Sequence, residues 1–583
     1  MHLSYLYTTS FDVLQNIGFS FDHRYSFSIS DGNTLIIRRN DTIPADFWEQ
    51  GIYSLTAIIG VNGSGKTTVL RLLKHLFVEG YPRNEDLKVL IVYEQNGELY
   101  IYNTTNIKVV AGEGIVLHPE SRRFSLETFY YSGHFQPYMG VDGEMELAGS
   151  YEASDAWLLV KDLQDYSNID SLHLSEPLYN YLLAYFAQNN YRICEILALD
   201  GLSELLKTIQ LPKFVQFAPN RGGWNAIKLG RISRFDKIEI PREQLTSVDI
   251  KEKSIERIVY YDIINLIAEG KGNQSDLLML LNDWVKAPKN YGIVNALTNY
   301  VKERKMAAET YKALGSLLYV VKKMVAICDF DEGSGSFYLD VQKDKDRLRS
   351  LLEEVINSQY FLTARFFDFI YSHNLYENTF LSSGELELLN LLSRLNYGIS
   401  IAPKRFGNIE SPRLLLIDEA EIGYHPKLQM QYVRILNEFI HYMRVKGGVD
   451  FQIVITSHSP IILSDVPACC VNFLNRENGK SAVIVSDEKE TFGENVFNLY
   501  RRAFFMKNGL IGAFAQKKLN QVVKDIEEDE VTVNTRKTIA LTGDLRIRDY
   551  LLRRIASKNI DSEIAYHEAM IQELKARRRT KNE

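Results

Sequence analysis

The chain has 583 residues, 45% hydrophobic and 24% charged, a composition that excludes extended disorder and fibrous repeats and gives enough length for roughly three to four folding units. Acidic residues outnumber basic ones 74 to 67, and the net charge of −7 excludes a global electrostatic footprint for nucleic acid. Any such contact must be local.

In chain order, the opening MHLSYLYTTSFDVL lacks the basic and apolar regions of a secretory signal, and no apolar run reaches the ~18 residues of a membrane span. Cys194, Cys328, Cys469 and Cys470 form no C-x-x-C pair and sit in apolar or strand-like surroundings. A cytoplasmic protein with buried reduced thiols and no membrane contact is expected. Residues 3–60 read as strands, with YSFSIS alternating, NTLIIRR after a turn, and SLTAIIG as the continuous apolar run of a buried parallel strand.

That strand runs into GVNGSGKTT, which satisfies G-x-x-x-x-G-K-[ST] and is followed by the amphipathic TVLRLLKHLF. The glycines let backbone N–H groups converge on phosphate at a helix N-terminus. Asn62, Gly63, Ser64, Gly65, Lys66, Thr67 and Thr68 form the expected ATP-binding stretch, with Lys66 on the β/γ-phosphates and Thr67 on Mg²⁺. Further short strands, KVLIVYE, ELYIYN and ETFYYSG, close a first lobe over 1–145. Gln136 follows the last of them, where a polar side chain can bridge metal and attacking water.

Residues 146–370 read as a mostly helical insertion without a sustained heptad, hence a compact domain and no coiled-coil arm. A second lobe spans 371–490. It opens with FLSSGELELL, where Ser382 and Glu385 form an S-x-x-E capping box before a leucine-rich helix. In LLLIDEA, Asp418 is placed to hold the metal and Glu419 to orient or deprotonate water. In IVITSHSP, a second buried strand carries His458 to the same carboxyl edge of a parallel sheet, where it can contact the γ-phosphate or register its loss. Residues 491–583 read as helical with a basic end, Lys575, Arg577, Arg578, Arg579 and Lys581. The fold class is therefore α/β, a phosphate-loop head with a mostly parallel sheet.

The order of phosphate loop, helical insertion, S-S-G-E, Asp-Glu strand and histidine strand resembles that of ABC-type ATPases. The resemblance implies a homodimer with ATP and Mg²⁺ sandwiched between heads, in which Ser382, Ser383 and Gly384 face the nucleotide of a second subunit. The segment departs from the common L-S-G-G-Q, with Ser383 third and Glu385 fifth. That departure, with Glu421, His425 and Pro426 in EAEIGYHP, resembles the SMC/RecF/OLD-like branch. Residues 491–515 and the opening FDVLQNIGFSFDHRYSFSI are similar to the PtuA ATPases of Septu-type antiphage systems, including those encoded with retrons. This implies an HNH-type nuclease partner, a higher oligomer, and a retron reverse transcriptase with its RNA–DNA. The alternatives are a DNA-repair ATPase contacting DNA directly through the basic tail and an OLD-like nuclease. For the nuclease, residues 480–583 offer neither the glutamate strand nor the D-x-D strand required.

Overall fold

The computed structural model describes residues 1–30, 33–44, 46–78, 87–121, 126–133, 150–152, 178–207, 209, 211–219, 249–269, 273–284, 293–304, 306–357, 367–376, 381–406, 412–477, 480–483, 490–503, 511–557, 564, 568 and 571–572. Gln136 and the basic tail from residue 573 lie outside the described residues. The chain divides into two compact units, Met1–Leu499 and Tyr500–Glu583.

The first unit begins with β1 (His2–Phe11), β2 (Leu14–Ser20), β3 (Tyr25–Ser30), β4 (Thr34–Arg39) and β5 (Ile52–Gly60), then helix α1 (Lys66–Phe77). Strands β6 (Val89–Gln95), β7 (Glu98–Asn103), β8 (Lys108–Ala111), β9 (Leu117–Glu120), β10 (Thr128–Ser132) and β11 (Ser150–Glu152) follow. An intervening region carries helices α2 (Leu178–Leu197), α3 (Ile250–Glu269), α4 (Gln274–Trp284), α5 (Ile293–Glu303), α6 (Ala308–Ile327) and α7 (Lys345–Asn357). Among them lie β12 (Phe214–Pro219), β13 (Asp329–Asp331), β14 (Ser336–Asp340) and β15 (Phe367–Ser372). The unit then returns to α8 (Ser383–Phe406), β16 (Arg413–Asp418), α9 (Pro426–Gly447), β17 (Phe451–Ser457), β18 (Val471–Glu477) and β19 (Lys480–Val483).

Among the described residues twelve strands form one sheet in the order β11-β10-β16-β17-β5-β18-β19-β2-β1-β6-β7-β9. The six from β11 to β18 run parallel, and β5 sits between β17 and β18. Strands buried on both faces must be apolar along their whole length. LLLI in β16 and IVI in β17 are wholly buried, as are Leu55, Ala57, Ile58 and Ile59 in β5. Helix α1 closes one face of the sheet through Val69, Leu70, Leu73, Leu76 and Phe77, the apolar stripe of a 3.6-residue period. The far half of the sheet is mostly antiparallel and curls back onto the parallel half. Gln452 of β17 accepts from Leu3 N at 2.9 Å and donates to Leu3 O at 2.6 Å, satisfying a buried amide across that curl.

Between the lobes the helices enclose an antiparallel sheet, β13-β14-β12-β15, so this region is helical with a sheet of its own. Sequence reading missed the β13–β14 hairpin because SFYLD is too short to establish a period of two. Helix α8 packs on α2, where Asn189 donates to Asn390 at 2.8 Å, and its Arg394 also stacks over Tyr131 of β10. Cys194, Cys328 and Cys470 are buried as expected, but Cys469 is exposed. It lies in the 3₁₀ turn Ala468–Cys470, whose three-residue period turns adjacent residues to different sides. Among the described residues no helix is long and apolar enough to cross a membrane.

In the second unit, α10 (Ala513–Glu527), α11 (Val533–Ala540) and α12 (Leu545–Ala556) share a small core of Val522, Ile526, Ile539, Leu551 and Ile555. Thr532 and Asp544 cap the last two helices.

Candidate active site

β5 stops at Gly60, and the chain turns through residues 61–65 into α1. Gly63 and Gly65 adopt φ of 72° and 97°, the left-handed region where a Cβ is strained. The turn leaves the first N–H groups of α1 without helical partners. Asn62 and Gly63 are exposed, whereas Thr67 and Thr68 are half-buried. Ser64 Oγ is buried without a hydrogen-bond partner among the described residues. A loop with unpaired donors, a helix N-terminus and an orphaned hydroxyl fits a phosphate chain.

The Lys66 side chain is 4% exposed and donates to the carbonyls of Gly60 and Val61 at 3.3 and 3.4 Å. Burial pushes its pKa below the usual lysine range, against the pull of Glu419, Asp418 and Glu421. Thr67 Oγ1 lies 3.0 and 3.2 Å from the two Asp418 carboxylate oxygens. Thr456 Oγ1 donates to Asp418 Oδ1 at 2.5 Å, and Tyr130 donates to Oδ2 at 3.4 Å. A hydroxyl and a carboxylate in this arrangement suit Mg²⁺, and Thr67 and Asp418 would hold it.

Glu419 follows at the strand end with φ 48°, a left-handed conformation rare for a side chain of its size. Its N–H donates to Thr456 Oγ1 at 3.0 Å, which holds that conformation in place. Such strain, of order 1–3 kcal/mol, is retained where surrounding contacts over-determine it, and it clusters at active sites. The Glu419 carboxylate lies 2.8 Å from His458 Nε2 and 3.7 Å from Lys66 Nζ. His458 Nε2 is also 2.7 Å from Lys66 Nζ. In one tautomer the imidazole accepts from the ammonium; in the other it donates to the carboxylate.

The structure thus brings Lys66, Thr67, Asp418, Glu419 and His458 together at the carboxyl edge of β5, β16 and β17. The register explains why: Asp418 pairs with Thr456, and Ser457 with Ile59, so the strands end level. Ser382 and Ser383 are exposed at the start of α8. The capping box is formed, with Glu385 accepting from Ser382 N at 2.9 Å and from its hydroxyl at 2.7 Å, while Glu385 N donates to Ser382 Oγ at 3.3 Å. Gly384 is buried, and a Cβ there would meet Gly423 O at 3.0 Å and Tyr424 Cα at 3.2 Å. The glycine lets α8 start directly against the segment that follows the acidic strand.

Sequence reasoning gave no site role to Thr456 or Glu421. Glu421 is 3% exposed and accepts from Ser457 Oγ at 2.5 Å and from His458 N at 3.1 Å, so it fixes the backbone that carries the histidine. Burial raises its pKa. The repeated acid in DEAE was the available signal. Glu421→Ala should lose about 2–3 kcal/mol of stability, because a buried hydroxyl and a part-buried N–H lose their acceptor, and Glu421→Gln should lose less. Thermal unfolding of the two variants tests this, and equal loss in both would refute it.

A family model described as "AAA domain, putative AbiEii toxin, Type IV TA system" matches residues 307–464, which take in the start of α8, the acidic strand and the histidine. Among curated proteins the chain is similar to Protein ea59 of Escherichia phage lambda, 27% identical over 146 residues. That stretch is 25% of this chain and 26% of the phage protein, so the likeness spans about a quarter of the relative. Among solved structures it is similar to the SMC head domain from Thermotoga maritima, at 12% identity and TM-score 0.26, over 84% of this chain and 100% of that one. A structure of the recombination mediator protein RecF with ATPrS is similar at 12% identity and TM-score 0.23, over 83% and 98% of the two chains.

Proposed function

We propose that this chain is an ABC-type ATPase that binds and hydrolyses Mg-ATP, pairs head to head with a second copy, and senses for or regulates an effector nuclease in antiphage defence. The observation that carries the ATPase reading is the meeting of Lys66, Thr67, Asp418, Glu419 and His458 at one sheet edge behind a phosphate loop. Phosphoryl transfer asks the protein mainly for positioning and charge stabilisation, and those side chains supply both. Mg²⁺ held by Thr67 and Asp418 would neutralise charge on the phosphate oxygens. Lys66 releases its loop carbonyls to meet the β/γ-phosphates. Glu419, held by its backbone bond to Thr456 and by His458, is placed to take the proton of the attacking water. His458 lies between base and lysine and responds to the γ-phosphate. Phosphate release from Mg-ATP by the purified chain tests this reading, and its absence would overturn it.

The exposed Ser382 at a capped helix N-terminus supports pairing through a second subunit's nucleotide, because the end of a helix attracts anions. Ser382→Arg should leave ATP binding by the single subunit intact while blocking ATP-dependent doubling of mass. Light scattering of that variant, made in a Glu419→Gln background to trap ATP, reads it. Doubling that survives the arginine would place the pairing surface elsewhere. Resemblance to Septu-type ATPases supports the nuclease partner, the cytoplasmic setting and the retron reverse transcriptase, and the family description naming a TA-system toxin fits an effector-linked role. Co-purification with an HNH nuclease encoded beside the gene tests the partner.

A further inference from the structure

We infer that Arg476, on the hairpin after the histidine strand, is a phosphate-binding residue of the nucleotide site. This rests on the reading of residues 60–67 as a phosphate loop.

β18 runs parallel to β5 and pairs Leu474 with Gly60, the first residue of the loop. Two residues on, Arg476 pairs with Ser481 across the antiparallel β18–β19 hairpin. Ser481 N donates to Val13 O at 3.0 Å, and its buried hydroxyl donates to Ser64 O at 2.5 Å. One rung of the hairpin is therefore anchored to the phosphate loop itself. The other member of that rung reaches over the loop. A Cβ built on Gly63 would lie 3.2 Å from Arg476 Nη1, which places the guanidinium beside the loop at the exposed Gly63.

Three features make this a built position. The strand register sets Arg476 two residues beyond Leu474, the partner of the loop's first glycine, so a strand delivers it. Glycine at 63 and 65 is needed for the left-handed turns and also leaves room for Arg476 and Ser481, since a Cβ on Gly65 would lie 2.7 Å from Ser481 Oγ. The lysine of the loop is 4% exposed and engaged with the loop carbonyls and Glu419, so an exposed cation beside Gly63 would add a second, separate positive charge for phosphate oxygens. An arginine there offers a planar, permanently charged fork that binds two phosphate oxygens at once.

The test is equilibrium titration of a fluorescent ATP analogue, with and without Mg²⁺, against wild type, Arg476→Ala, Arg476→Lys and Lys66→Ala, with ADP as competitor. Arg476→Ala should weaken ATP roughly tenfold, with Arg476→Lys recovering part of the loss because charge returns without the fork. Loss for ATP alone puts the fork on the γ-phosphate, and equal loss for ADP puts it on the β-phosphate. Wild-type affinity in Arg476→Ala, with binding abolished in Lys66→Ala, would overturn the inference and leave the nucleotide site standing. No binding by wild type would overturn both. The side chain is exposed, so the variants should melt with wild type, and thermal unfolding checks this.

Discussion

Glu419→Gln is expected to bind Mg-ATP as wild type does and to hydrolyse it roughly 10²–10⁴-fold more slowly, the range lost with a general base. The glutamine keeps the shape of the side chain and its backbone N–H bond to Thr456, so the left-handed backbone survives. What goes is the capacity to accept a proton at the point where His458 and Lys66 converge. The nearest other carboxylates are engaged. Asp418 accepts from Thr67 and Thr456, and Glu421 is buried against Ser457 and His458 N. Single-turnover phosphate release beside a binding titration separates chemistry from affinity. Wild-type turnover would place the base elsewhere.

Lys66→Ala is expected to raise the dissociation constant for Mg-ATP about a hundredfold or more, since a charge-assisted contact to phosphate is worth about 1.5–3 kcal/mol and this amine makes more than one. The loss should be compounded, because Asp418 and Glu419 sit beside the lysine and their charge would then face the phosphates without it. Calorimetric titration tests it. Retained affinity would show that the loop binds something other than a nucleotide phosphate chain.

Much of this site is legible in the amino-acid sequence, for definite reasons. A loop with two left-handed residues strongly favours glycine there, and strands covered on both faces favour Leu, Ile and Val, so GVNGSGKTT and LLLIDEA announce both backbone and position. The rest turns on relations between distant residues that leave no local pattern. Thr456 serves as a support only because β16 and β17 share a register. The conformation of Glu419 is imposed by its neighbours against the preference of its own type. Arg476 acquires a partner only because β18 returns beside β5. The β13–β14 hairpin was hidden by its length.

The placing of β5 also bears on how the chain is made. The strand is among the most apolar in the molecule, yet both of its edges are completed by β17 and β18, which begin about 390 and 410 residues after it ends. At about 5–20 residues per second, a ribosome needs roughly 20–80 s to deliver them. Throughout that interval SLTAIIG has two open edges and no native partner for either, the condition that favours pairing with another nascent copy. Whatever shields this segment during synthesis, chaperone or transient contact with α1, should govern the yield of active protein. Slower translation of residues 61–450 should then lower solubility without changing the stability of the molecules that finish.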